Sequence, residues 1–428
     1  MAPEPSSSHR LPAGNSSFVL VLFGTATVLL VLQGLIFRWR RYLRLQHIPG
    51  PPTAGWSRLW LLRQALGGEC HKAFSETNEK YGPIAKVGPY HVLTSDPDLI
   101  RRINAARTPY KRSEWYKAVR FDPDKDNLAT CSPEKHLELR AKMAAGYSGK
   151  EVDGVESKID KNIFALVRLL ETRYIATNCS FDFGRKAQYF TLDVISDLAY
   201  GDPFGFLDED ADQYSYIQIA EGQFSMFLTL TIYPWIISFL SSPLLRSLLP
   251  TDQDLVGFGK FMGIVKEKAT IRSILLLIIT TPRVHAALLS EIAALTPALT
   301  ADQVISDERA RKLPYLQAVI KEGLRWFPPV TGMLSKQVPP SGDEWKGVRL
   351  PPGTLVGFSA WGVMRARHFW GDDAAEFRPE RWLEVPLERL REMEATLGLT
   401  FGYGKWHCLG KEVALIELNK VFVEASRA

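Results

Sequence analysis

The densest chemistry in the chain lies in ten consecutive residues, Phe401-Gly402-Tyr403-Gly404-Lys405-Trp406-His407-Cys408-Leu409-Gly410. A glycine-rich loop there delivers one cysteine to the start of an amphipathic helix, with Leu409, Val413, Ile416 and Phe422 spaced for a buried face. Free N–H groups and the helix dipole at such an N-terminus favour thiolate over thiol. A thiolate held there is a ready metal ligand. A lone cysteine is otherwise a small buried hydrophobe, and the glycines around Cys408 shift the weight toward the ligand. Cys70, Cys131 and Cys179 are scattered with no paired spacing, which argues against a disulfide scaffold or a CxxC-type zinc site.

Two further motifs precede this loop. The run from Pro314 to Phe327 reads as a helix opened by proline and stopped by Pro328-Pro329. Glu322 and Arg325 stand three apart on it and share a face. An isolated pair of this kind is a surface ion pair of little value. Here Leu316, Val319, Ile320 and Leu324 predict a buried side of the same helix, which suits a partly buried, hydrogen-bonded pair. Between helix and loop, Phe377-Arg378-Pro379-Glu380-Arg381-Trp382 is polar, proline-bent and without periodicity, and reads as a turn.

In this order and spacing, Glu322-x-x-Arg325, Phe377-x-Pro379-Glu380-Arg381 and Phe401-x-x-Gly404-x-x-x-Cys408-x-Gly410 resemble the haem-thiolate monooxygenases, the cytochrome P450 family, most closely its fungal membrane-bound members. The resemblance implies a mainly α fold with a small β region, carrying haem b as cofactor. It implies Cys408 as axial thiolate and metal ligand, Phe401 packed beside it, Gly404 bending the loop and Gly410 admitting the porphyrin close to the helix. Glu322, Arg325 and Arg381 become a buried structural cluster bracing the loop. His136 and Arg140, in His136-Leu137-Glu138-Leu139-Arg140, become candidates for the haem propionates, as do Lys336 and Lys405. The implied activity is monooxygenation of a lipophilic small molecule, plausible in fungal secondary-metabolite biosynthesis, with electrons from an NADPH-dependent flavoprotein reductase.

The elements that must position these residues begin with a membrane segment. Phe18 to Phe37 is twenty residues without a charge, enough to span about 30 Å of hydrocarbon. It runs directly into Arg38-Trp39-Arg40-Arg41-Tyr42-Leu43-Arg44, a stop-transfer flank, which favours a retained anchor over a cleaved signal peptide. The four arginines after it, against Arg10 before it, put the bulk of the chain in the cytosol. The expected organisation is a lumenal tail (1–17), a single-pass anchor in the endoplasmic-reticulum membrane (18–37), a basic and proline-rich hinge (38–54) and a haem-thiolate domain (55–428). Helical periodicity dominates that domain, with β-like runs near Ile84–Val92 and Val348–Val356. The uncharged stretch Gly222 to Leu245, broken by Pro234 and Pro243, is too interrupted to span; it reads first as a core helix, and alternatively as a surface dipping into the membrane. A 46% hydrophobic content excludes a disordered chain, and +5 over 428 residues is too thin for a nucleic-acid surface.

The chain departs from the family pattern in three places. Trp406 stands where an arginine usually precedes the cysteine by two residues, with Lys405 as a point-charge substitute. Only 20 residues follow Cys408, where relatives continue into a β-hairpin over the pocket. No (Ala/Gly)-Gly-x-(Asp/Glu)-Thr-(Thr/Ser) string exists, so the oxygen-activating acid–alcohol pair is absent and no catalytic residue is assigned. Its place near Met262 to Glu267 reads Met-Gly-Ile-Val-Lys-Glu, and the join at Phe261–Thr270 reads as a missing segment. The fold is therefore expected to be incomplete, and a truncated, catalytically impaired relative is the alternative reading.

Overall fold

The computed structural model describes residues 14–119, 130–147, 154–240, 242, 271, 273–294, 303–330 and 332–427. Among them helices dominate. Seven short strands make up the rest of the regular structure: β1 (Ile84–Lys86), β2 (His91–Thr94), β3 (Lys111–Arg112), β4 (Lys336–Gln337), β5 (Asp343–Trp345), β6 (Val348–Leu350) and β7 (Leu355–Phe358). Five form one sheet in the order β1-β2-β7-β4-β3, and β5 with β6 forms a separate hairpin. The β-like runs at 84–92 and 348–356 are strands of these sheets. β2 and β7 pair in parallel and the other pairs are antiparallel. Register matters at one place in particular: Arg112 on β3 lies directly opposite Lys336 on β4.

The main apolar core is helical. Ile159, Ile163 and Leu166 of the Val155–Leu169 helix pack with Leu316, Val319 and Leu324 of Pro314–Trp326 and with Val421 and Phe422 of Lys411–Arg427. Those spacings put each set on one helical face. The last helix, which follows the cysteine loop, is also tied by charge. Lys420 is wholly buried, and its ammonium meets Glu156 and Asp160, each at 2.6 Å. A buried cation so paired is satisfied where an unpaired one would be costly.

The N-terminal helix runs from Gly14 to Arg44, so the basic flank continues it. Within its Leu20–Arg44 portion an 18-residue window has mean hydropathy 2.3 and no buried residue, and the helix is long and apolar enough to cross a membrane. The proline-rich segment that follows is tied to the domain, with Pro51 buried. Leu45 and Ile48 are buried, and Lys86 N–H donates to Pro49 O at 2.7 Å. A Cβ on Gly50 would sit 2.1 Å from Lys86 O, so only glycine fits there. Arg44 donates to Pro352 O, and the Tyr42 and Trp56 rings stack at 4.4 Å.

The stretch 222–240 is not a core helix. Tyr216–Ile232 and Trp235–Leu240 are separate helices divided at Pro234. Phe227 and Thr231 are buried, but Met226, Trp235 and Phe239 stand exposed, more than half their surface open. Residues 243–245 lie outside the described residues.

Candidate functional site: a thiolate loop and its braces

The loop that carries Cys408 is two short 3-10 turns, Gly398–Phe401 and Gly404–Trp406, followed by the Lys411–Arg427 helix. Cys408 N–H donates to Phe401 O at 2.7 Å, which closes the loop on itself and ties the cysteine to the phenylalanine of the motif. The Cys408 side chain is exposed. Gly404 has φ +60°, and a Cβ there would lie 2.5 Å from Asn104 O, so the loop turns against the Pro97–Asn104 helix only because that Cβ is missing. Gly410 opens the helix, its carbonyl accepting Ala414 N–H at 3.0 Å. Val413 and Phe422 are buried as their spacing predicts, while Leu409 and Ile416 are only half-buried.

Glu322, Arg325 and Arg381 form one saturated network. Glu322 and Arg325 have no exposed side-chain surface. Arg325 Nε and Nη2 clasp the two Glu322 oxygens at 2.9 and 2.7 Å. Its remaining donors reach Met364 O, Ala374 O and Glu376 O, each at 2.8 Å. Glu322 also accepts from Arg381 Nε at 3.0 Å, Trp382 Nε1 at 3.0 Å and Arg378 N–H at 2.9 Å. All five guanidinium N–H groups of Arg325 thus have acceptors. Arg381 further holds Asp373 at 2.9 Å. Sequence reading found the three charged residues but not Trp382, Asp373 or the carbonyls. Trp382, directly after Arg381, was the one signal available.

The four residues proposed for propionates do not share one environment. Arg140 donates to His407 O, the carbonyl immediately before Cys408, so it holds the loop itself. His136, Lys336 and Lys405 instead gather around Trp406. Lys336 Nζ lies 4.0 Å and Lys405 Nζ 5.1 Å from the indole centroid, and the His136 ring is 4.5 Å away. Sequence reading missed a further member. Arg112, from the two-residue strand β3, has its guanidinium carbon 3.8 Å from the same ring, and the Lys111-Arg112 dipeptide carries no periodicity by which to find it. A cavity of about 580 Å³ opens here, lined by Arg112, Tyr116, Cys131, Lys405 and Trp406 among others.

The electrostatics of this cluster are one-sided. Lys336 and His136 are nearly fully buried. Among the described residues Lys336 Nζ, His136 Nδ1 and Trp406 Nε1 have no hydrogen-bond partner. Burial, then Arg112 and Lys405, pushes the Lys336 ammonium down to about 6. Burial and the surrounding cations push His136 down to about 4. Like charges placed directly across a sheet repel, and unpaired buried donors are costly. A ligand bringing carboxylates beside the Cys408 loop satisfies both, so the residues present fit a haem.

The stretches Tyr110 to Trp115, Phe224 to Leu230 and Val330 to Leu334, where the family resemblance leads one to expect a substrate pocket, divide. Tyr110 points elsewhere: it is buried in the sheet-side core and donates to Asp343 at 2.7 Å. Trp115 packs in one apolar cluster with Phe227, Leu228 and Leu230, and a Cβ at Gly332 would be 3.7 Å from its ring. The expected place of the oxygen-activating turn, 262–267, lies outside the described residues.

Comparison with known proteins adds a family to this geometry. The family model described as "Cytochrome P450" matches residues 49–258 and 263–425. A cytochrome P450 monooxygenase ABA1 of Pyricularia oryzae is 37% identical over 444 aligned positions, covering 90% of this chain and 87% of the relative. Cytochrome P450 monooxygenase aba1 of Botryotinia fuckeliana is 33% identical, covering 90% and 86% respectively. Cytochrome P450 monooxygenase abl1 of Leptosphaeria maculans is 32% identical, covering 92% and 80%.

Proposed function

The chain belongs to the cytochrome P450 family and is an enzyme of monooxygenase type, and on that premise we propose that it oxidises a lipophilic small molecule, as a step in fungal secondary-metabolite biosynthesis, with haem b held by Cys408. The observation that carries the reading is an exposed Cys408 thiol on a glycine-bent loop, next to a buried cluster of cations and donors suited to the two carboxylates of haem. The fungal sources of the relatives and the apolar cluster at Trp115 and Phe227 support the substrate class.

When bound, the haem supplies dioxygen activation and oxygen transfer, tuned by the electron-donating thiolate. The chain's own part is ligation and positioning. Cys408 ligates the iron, with Phe401 packed beside it, Gly404 setting the bend and Gly410 opening the helix. Arg140 steadies the loop through His407 O. Lys336, His136 and Lys405 attract the propionates. Glu322, Arg325 and Arg381 hold the segment behind the loop. We assign the electron donor as an NADPH-dependent flavoprotein reductase. The Gly14–Arg44 helix is taken as a single-pass anchor in the endoplasmic-reticulum membrane, with the domain on the cytosolic face. The excess of arginine at its C-terminal end supports that orientation.

A second reading is favoured by a specific observation. The acid–alcohol string is absent from the sequence, and the family match is interrupted between residues 258 and 263. The alignment to the Pyricularia relative, at 444 positions, is longer than the 428-residue chain, so it opens gaps in it. On this reading haem binds but product formation is poorly coupled to NADPH consumption, since positioned proton delivery contributes about 10²–10⁴-fold to a rate.

A carbon monoxide difference spectrum of the reduced protein tests the ligation. A red-shifted, thiolate-type Soret band is expected from the wild type, lost in Cys408→Ala and retained in Cys179→Ser, whose cysteine is exposed and remote in sequence. An unchanged band in Cys408→Ala defeats the assignment. Product formed per NADPH consumed, with the reductase present, then separates the coupled reading from the uncoupled one.

A further inference from the structure

Trp406 occupies the position at which the family pattern carries a propionate-holding arginine, and the structure shows what stands in its place. The indole nitrogen is buried and, among the described residues, without a partner. An indole N–H can only donate, so the geometry calls for an acceptor that the chain does not supply. Around the ring lie the Arg112 guanidinium at 3.8 Å and the Lys336 ammonium at 4.0 Å. These two cations face each other across the β3–β4 ladder. The negative face of an indole attracts cations, so the ring steadies two side chains that would otherwise repel. An arginine at 406 would add a further full charge beside Arg112, Lys336 and Lys405. The indole adds a donor and no charge.

We propose that Trp406 is a cofactor-binding residue, its indole N–H donating to a propionate carboxylate while its ring holds Arg112 and Lys336 in place for the same pair of carboxylates. This rests on the haem reading of the preceding subsection and names the residue that takes over the missing arginine's task. His136, with its own unpartnered Nδ1 beside the ring, completes the cradle.

The test measures haem release from the full, haem-loaded chain to excess apomyoglobin. Trp406→Phe keeps a ring and removes the donor; Trp406→His keeps a ring N–H. Release from Trp406→Phe is expected to be about tenfold faster than from wild type, the size of a lost charge-assisted hydrogen bond, and release from Trp406→His to stay within about threefold. Loaded with haem dimethyl ester, whose neutral carbonyls are weaker acceptors than carboxylates, Trp406→Phe should differ from wild type by clearly less than with haem, within about threefold, and the wild type should release the ester faster than haem. The proposal is overturned by unchanged release from Trp406→Phe. It is also overturned if that variant loses the ester as much faster as it loses haem, which would make the ring a packing element only. Should the variant fail to accumulate, equal release of haem and ester from the wild type overturns it without any substitution. A wild type lacking the thiolate-type band fails the functional reading itself; the band present with unchanged release from Trp406→Phe fails this proposal alone.

Discussion

Lys336 illustrates how a single side chain reports on a missing counter-charge. Unfolded, it keeps its proton up to its ordinary 10.5, whereas in the folded, haem-free chain burial beside Arg112 and Lys405 lets the proton go above about 6. The unfolded state therefore binds more protons between those values, and stability rises with pH across that window. The penalty for a charged Lys336 is fully present below pH 6 and absent above pH 10.5. His136, pushed from 6.5 to about 4, adds the same sign between those two values. Arg112 and Lys405 act on both groups, Arg140 on His136 alone, and the Tyr116 hydroxyl shares the Arg112 side. Haem-free protein is expected to gain stability between pH 7 and 9 by up to about 1 kcal/mol per pH unit relative to Lys336→Met. The haem-loaded protein should show no such difference, because propionates keep the ammonium charged. Urea unfolding of both proteins at the two pH values measures it, and equal pH slopes in wild type and Lys336→Met would refute it. Lys336 could be picked out of the sequence only as a basic residue after a double proline. Its burial, and the opposing Arg112, depend on a two-residue strand pairing that no local pattern announces.

At the scale of elements, Arg325 and Glu322 together join four of them. From the Pro314–Trp326 helix Arg325 reaches the end of Ala360–Arg365 through Met364 O, the Asp372–Ala375 turn through Ala374 O, and the residue after that turn through Glu376 O. Glu322 in turn holds the Pro379–Trp382 turn through Arg381 and Trp382. The period of the helix made the Glu322–Arg325 pair and its buried side readable, since 316, 319, 320 and 324 recur at helical spacing. The carbonyls were not readable, because they come from irregular chain that has no period. Arg325→Ala leaves the Glu322 carboxylate buried with fewer donors and takes a donor from each of three carbonyls, of which Glu376 O keeps only Arg381 Nη2 at 3.4 Å. The expected loss is about 3–5 kcal/mol, seen as a lower melting temperature and, on the proposed role of the cluster as a brace for the Cys408 loop, as lower haem occupancy. Full occupancy with unchanged melting would show the cluster to be dispensable.

For the whole molecule, the question is how an apolar N-terminal helix and a mainly α domain are joined. The apolar run and its arginine flank were plain in the sequence, and so was the break that Ile48-Pro49-Gly50-Pro51-Pro52 makes in the helix. That the same segment is tied to β1 was not, because packing of a short irregular segment depends on its partner surface and not on its own composition. Two truncations separate anchoring from folding. Removing residues 1–44 takes away the unburied helix and leaves Leu45 and Ile48 in their sites. Removing residues 1–54 also takes those two buried side chains, each worth about 1.5–3 kcal/mol, and the Pro49 acceptor of Lys86 N–H. The shorter deletion also loses the Arg44–Pro352 hydrogen bond and the Tyr42–Trp56 stack; it should melt slightly below the full chain and leave the membrane on an alkaline carbonate wash. It should still bind vesicles reversibly through the exposed Leu59, Leu66, Trp235 and Phe239, since apolar side chains on one face partition into the interface. The longer deletion should lose about 3 kcal/mol or more of stability and shed haem. Equal melting of the two would mean that residues 45–54 contribute nothing to the fold, and retention of the shorter deletion after the wash would make the 222–240 helices an integral part of the membrane attachment.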